Sequence, residues 1–370
     1  MATEVLRPSS RLVVEGKVDP QFPVREFTQN MRPLVEKYGS EYCMEQFRLH
    51  HWPDGPRIID VSKIDWTGAQ EEARFVPRKM IRFLKLGTQV EAPSDTYAYA
   101  LTGPKHVREK SPVWNRFIYG NWHPEEVHHY EPSAEYLIRS DLATAEEVNA
   151  LVADAKSRPF PYGENYTELE RATYLSMLEF NAADFYNQNY ERLPVDEKGK
   201  LLTPVLGNKV LHLVGPQETR HNLFARTFVK AKIIESPSRK QEVRNALSRF
   251  VMPGNFTAPE LQKDGSQMSK DMNFNVGSLM RRVSEQVVDM LGGYEIVDGQ
   301  RRISKQGYEE LGRVGRMFLT RQKLGMLRPI MDPIPVQYPI IDGKVGRTIY
   351  SKSSEADQNK RGKIKLQNAS

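Results

Sequence analysis

The sequence predicts an all-α protein built as a helical bundle. Three observations carry the prediction. From about Trp66 onward, long segments place apolar residues at helical spacing. Alternation of the β type is scarce. Turn formers fall in short clusters between the long segments.

Taken in order, residues 1–65 are rich in turn residues (Pro20, Pro23, Pro33 and the run Pro53-Asp54-Gly55-Pro56). They are expected to form an irregular N-terminal arm with one helix near Val35–Phe47. The bundle is expected over residues 66–328. Its helices are expected at about Ala69–Leu86, Val90–Leu101, Pro112–Leu137, Ala145–Lys156 and Tyr166–Tyr190. Leu201–Ile234, Ser238–Phe250, Ser269–Leu291 and Ser304–Leu324 follow. Thr144, followed by Glu146 and Glu147, is a helix start signal: its hydroxyl can cap, and the acids suit the positive end of the helix dipole. The Pro-rich stretch Met326–Ile341 is expected to be extended, and residues 329–370 form a polar tail.

Bulk properties exclude several functions. Apolar residues make up 39 % of the 370 positions, and no run of 18 apolar residues occurs, so no membrane span is expected. Met1 to Glu15 lacks the apolar core of a secretory signal. The single cysteine, Cys43, forbids an intramolecular disulfide and any cysteine-built zinc or iron–sulfur site within one chain. A reducing compartment fits: the cytoplasm, or a plastid stroma in a eukaryote. Any metal must be held by His, Glu and Asp. The net charge of +6, part of it in the tail 351–370, reads first as a solvated tail and alternatively as a match for acidic partners; no nucleic-acid-binding signature accompanies it.

The histidines carry the chemistry. With eight of them in the chain, about 0.7 Glu-x-x-His pairs are expected by chance. Three occur: Glu125/His128, Glu126/His129 and Glu218/His221. The first two overlap, so they make two sites. Residues i and i+3 share one face of a helix, so a carboxylate and an imidazole can grip one ion. Two such helices, with one Glu from each of two more, make the carboxylate-bridged dimetal site of ferritin-like bundles. Carboxylates with imidazole suit iron or manganese. The bland alternative for any one pair is a surface ion pair.

The surrounding residues sharpen this. Trp122-His123-Pro124-Glu125-Glu126-Val127-His128-His129 is followed by Glu170-Arg171-Ala172-Thr173 and then by Gln217-Glu218-Thr219-Arg220-His221. This order resembles the soluble acyl-acyl-carrier-protein desaturases, whose successive helices carry W-x-x-E-E-x-x-H, E-R-A-T and D-E-x-R-H. The resemblance covers about Leu86 to Phe228. It implies a ferritin-like bundle and two iron ions. The implied ligands are Glu126, His129, Glu170, Glu218 and His221, and Thr173 would stand beside the oxygen site. The sixth ligand is expected on an earlier helix. Glu91 is chosen because Glu91-Ala92-Pro93-Ser94-Asp95-Thr96-Tyr97 resembles the family's E-A-L-P-T-Y; Glu72 and Glu109 are rivals. The resemblance further implies O2-dependent desaturation of an acyl chain on acyl carrier protein, electrons from a ferredoxin-type donor, and a homodimer.

The chain departs from the pattern. Pro124 and Pro216 each stand two residues before a ligand Glu, so each ligand helix either starts there or bends. Gln217 replaces an acid and cannot give an imidazole a negative partner. Asn187–Lys200 reads as an inserted loop. These departures keep two alternatives open: a diiron hydroxylase or N-oxygenase, and a non-catalytic bundle. His50, His51, His212 and Cys43 are read as surface, packing or inert residues, and Glu179 and Asp184, on or near the face of Glu170, either line the cavity or take solvated or outer-sphere roles.

Overall fold

The computed structural model describes residues 17–103, 111–158, 160, 165–258, 276–297, 300–312 and 315–316. The expected tail 329–370 and the rival ligand Glu109 lie outside the described residues. The fold is all-α, as predicted. The β-structure among the described residues is a short antiparallel hairpin, Tyr294–Val297 with Gln300–Ile303, and one isolated bridge, Val195 to Leu201.

Four helical segments frame the interior. The long helices Glu168–Glu191 and His212–Glu235 pack along each other, and Arg78–Glu91 packs against Tyr130–Arg139. One apolar cluster joins Phe117, Trp122, Phe224 and Phe228 to residues of the N-terminal helices, and a second gathers around Phe83, Tyr136 and Leu211. Ala145–Lys156 has the expected bounds, and its capping box pairs Thr144 with Glu147.

The expectation of an irregular arm is corrected. Val24–Gln29, Met31–Tyr38 and Ser40–His51 are helices. Phe27, Phe47 and Trp52 are buried in the main core. The prolines that suggested a loop sit at helix starts and breaks, where a missing N–H costs nothing.

The expected continuous helix Pro112–Leu137 is also broken. Pro112–Phe117 passes into a π-turn at Ile118–Trp122, then the short helix His123–Glu126, a tight turn, and Tyr130–Arg139. A second π-turn, Gly207–Leu211, precedes the helix that contains Pro216. Each proline therefore follows a wide turn and precedes a candidate ligand by two residues. The local widening accommodates the missing N–H, and such insertions recur at functional sites.

Candidate metal centre

Five of the six residues expected as ligands converge. Glu91, Glu126, His129 and Glu218 each bring one ligand atom to within 4.8 Å of the others, and so do Glu126, Glu179, Glu218 and His221. The two groups share Glu126 and Glu218. All six residues are buried. Glu91 ends the helix Arg78–Glu91, Glu126 ends His123–Glu126, and His129 follows across the tight turn. Backbone bonds from His129 N–H to Glu126 O (3.0 Å) and from His128 N–H to Glu125 O (3.2 Å) keep the i, i+3 spacing through that turn.

Glu170 is not in the cluster, which corrects the reading from E-R-A-T. Its carboxylate closes the capping box of the helix Glu168–Glu191: Thr167 N–H donates to Oε2 (2.8 Å), and Glu170 N–H donates to the Thr167 hydroxyl (3.2 Å). Oε1 lies 3.6 Å from Arg249. Glu179 occupies the expected place instead. It lies nine residues further along, roughly 180° around the helix at 100° per residue. Thr173 follows Glu170 away from the cluster's face, and its hydroxyl donates to Leu169 O at 2.7 Å. The capping signature Thr167-x-x-Glu170 is present in the sequence and could have flagged Glu170 as a helix-start residue.

The other candidates have structural partners. Glu72 accepts from Val205 N–H (2.8 Å), Leu206 N–H (2.7 Å) and Tyr136 (2.8 Å), and so holds the start of the segment leading to Glu218. Asp184 pairs with Arg282. His212 is exposed. Cys43 is fully buried, and burial followed by the Glu235 charge pushes its thiol up to about 12, so it is no nucleophile at neutral pH.

Within the cluster, both imidazoles turn Nδ1 inward. His129 Nδ1 lies 3.0 Å from Glu126 Oε2 and 3.0 Å from Glu218 Oε1. His221 Nδ1 lies 3.6 Å from Glu218, 3.7 Å from Glu126 and 3.7 Å from Glu179. Five inward atoms have no hydrogen bond: both Nδ1 atoms, Glu126 Oε2 and both oxygens of Glu218. Buried polar atoms are normally satisfied, so such a convergence points to a ligand.

The outward atoms are satisfied. His129 Nε2 is 2.9 Å from Gln217 Oε1, and His221 Nε2 is 2.9 Å from Glu125 Oε2. Trp122 Nε1 donates to Glu179 Oε1 at 2.7 Å, and the Tyr186 hydroxyl donates to Glu91 Oε1 at 3.4 Å.

Electrostatics follow from this crowding. Burial, then the carboxylates of Glu218 and Glu126, push Glu91 and Glu179 well above the ordinary range. Burial opposes ionisation of Glu126 too, but His129 and His221 hold it below. Burial disfavours charged His129 and His221, yet the surrounding carboxylates raise both. Protons thus offset part of the carboxylate charge, and a cation could do the same work. Glu125 differs: burial resists its ionisation, but His221, Arg220 and the Arg57 N–H hold it down at about 2.

Fold and site together define a class: a helical-bundle protein with a buried Glu/His cluster that could hold a metal ion. No protein-family model matches the chain, and no curated protein matches it. Among the described residues, no helix is long and apolar enough to cross a membrane.

Proposed function

We propose that this chain is a diiron protein that uses dioxygen to oxidise an organic substrate, and that the substrate is an acyl chain on acyl carrier protein, which is desaturated. The observation that carries the metal reading is the set of inward atoms left without hydrogen bonds at the meeting point of two Glu-x-x-His pairs. Four carboxylates and two neutral imidazoles balance two divalent cations. Glu126 and Glu218, common to both groups, are suited to bridge; Glu91 with His129, and Glu179 with His221, would complete the two ends. Oxygen and nitrogen donors of this kind suit iron. Two bound iron ions supply the redox chemistry with dioxygen that side chains lack.

The chain's own residues supply orientation and dryness. Trp122 fixes the Glu179 carboxylate by its 2.7 Å bond. Phe117 and Phe224 stack at 3.9 Å between ring centroids, and His221 lies at the edge of Phe117 and parallel to Trp52. This apolar shell keeps water from the cluster. The desaturase reading draws on the W-x-x-E-E-x-x-H segment and its spacing to Glu218 and His221. An acidic carrier protein and a ferredoxin-type donor agree with the net charge of +6, and a homodimer is the assembly that goes with this reading.

The departure of Glu170 and Thr173 from the cluster, together with neutral Gln217, favours a second reading: a diiron oxygenase that inserts oxygen into another substrate. One assay separates the two. Iron-loaded protein with ferredoxin, its reductase, dioxygen and a panel of acyl-carrier substrates is followed by mass spectrometry. Loss of two hydrogens supports desaturation, and gain of one oxygen atom supports the oxygenase. Failure to take up iron refutes both.

A further inference from the structure

The loop from Trp52 to Arg57 reaches the outer partner of each cluster histidine. Trp52 Nε1 donates to Glu125 Oε1 at 2.8 Å, and Arg57 N–H donates to the same oxygen at 2.7 Å. The carbonyl of Arg57 accepts from Gln217 Nε2 at 3.0 Å. One backbone residue thus grips Glu125 with its N–H and Gln217 with its C=O. Trp52 is buried beside His221, with the rings parallel.

Donor and acceptor roles then follow. A carbonyl can meet only the NH2 of an amide, so Gln217 must turn Oε1 toward His129, and His129 must donate from Nε2. Glu125 is acceptor-only, so His221 must also donate from Nε2. With Nε2 holding its proton outward, Nδ1 is the nitrogen of each ring that faces the carboxylates and can give up its proton to a cation. The two sides differ in charge. His221 is backed by a buried carboxylate, which raises the basicity of its other nitrogen, whereas His129 is backed by a neutral amide.

We propose that Trp52–Arg57 is a positioning strap whose Arg57 backbone, acting through Glu125 and Gln217, sets the ligating nitrogen of both histidines and makes the two metal positions unequal. The position at His221 and Glu179 fills first. This rests on the dimetal reading above.

The test is a cobalt(II) titration of the metal-free full chain, read by visible absorbance. Wild type should show two steps separated by about 10-fold or more in affinity. In Glu125→Gln, the amide oxygen stays with Trp52 and Arg57 and the NH2 faces His221, so the ring loses the partner for its Nε2 proton. The tighter step should weaken by about 10–100-fold while the weaker one holds. Zinc-loaded, 15N-labelled wild type should show both histidines protonated on Nε2 in two-bond 1H–15N spectra. If circular dichroism shows Glu125→Gln unfolded, Trp52→Phe, which removes one donor to Glu125, should weaken the same step alone. Two equal steps in wild type, equal weakening of both steps in the variant, or an Nε2-bound metal at either histidine would overturn the strap and leave the dimetal reading intact. No uptake of metal by wild type would overturn both.

Discussion

Trp122 Nε1 donates to Glu179 Oε1 at 2.7 Å, with both side chains buried. Trp122 stands one turn before Glu126, so the first Glu-x-x-His segment reaches across the bundle and holds the carboxylate on the facing helix. The bond ties the cluster's geometry to the folded core. Trp122→Phe should leave a buried carboxylate acceptor unsatisfied and destabilise the metal-free chain by about 1–3 kcal/mol. Urea unfolding measures this, and a double-mutant cycle with Glu179→Gln should show coupling between the two.

Glu170 and Glu179 should separate cleanly in experiment. Glu179→Ala should lower the metal bound per chain. Glu170→Ala should leave metal uptake intact and cost about 0.3–1.5 kcal/mol through the lost capping box. Metal analysis paired with thermal melting reads both. Loss of metal in Glu170→Ala would restore the E-R-A-T motif to the site.

Acid should weaken the fold in two stages. Burial is the main cause that depresses His51 from its ordinary value of 6.5 to about 4. The folded state therefore binds its proton less readily than the unfolded chain, and the stabilisation present above pH 6.5 is lost as pH falls toward 4. Glu125, depressed from 4.5 to about 2 against the opposing effect of burial, contributes stability above pH 4.5 that is lost as pH falls toward 2. His51→Phe should flatten the upper stage and leave the lower. A pH series of urea midpoints checks it.

The metal-free cluster should respond with the opposite sign. Glu91, Glu179, His129 and His221 all have raised values in the folded chain. Their stabilisation is complete below the unfolded values and is lost as pH rises through the folded ones. Thermal midpoints of metal-free protein should therefore fall as pH is raised from 6.5. Saturating metal should reduce that fall, because cations replace the protons.

Gly103 should tolerate no side chain. Its φ is +71°, in the left-handed region, and an added Cβ would collide with the guanidinium of the fully buried Arg171. Gly103→Ala should cost about 1–3 kcal/mol from backbone strain alone, and more if Arg171 is displaced. Thermal unfolding gives the value. This also accounts for the arginine of E-R-A-T, which packs beneath Gly103 and approaches Thr102 O at 3.5 Å.

The helical class and the two Glu-x-x-His pairs were legible in the sequence, because periodicity and i, i+3 spacing are local consequences of helix geometry; Glu91 came instead from the likeness of its segment to the desaturases' E-A-L-P-T-Y. Spacing alone did not separate Glu126/His129 from the overlapping Glu125/His128; the resemblance made that choice, and Glu125 proved to be the support for His221. The choice between Glu170 and Glu179 was not. Both lie on one helix, and only the axial position and rotation of that helix against the Glu218 helix decide which carboxylate faces the cluster. That register is decided by the packing of the two long helices along each other and by the bond from Trp122, distant in sequence, to Glu179. The strap was equally hidden: Pro53-Asp54-Gly55-Pro56 reads locally as a turn, and only the tertiary fold carries Arg57 to Glu125 and Gln217.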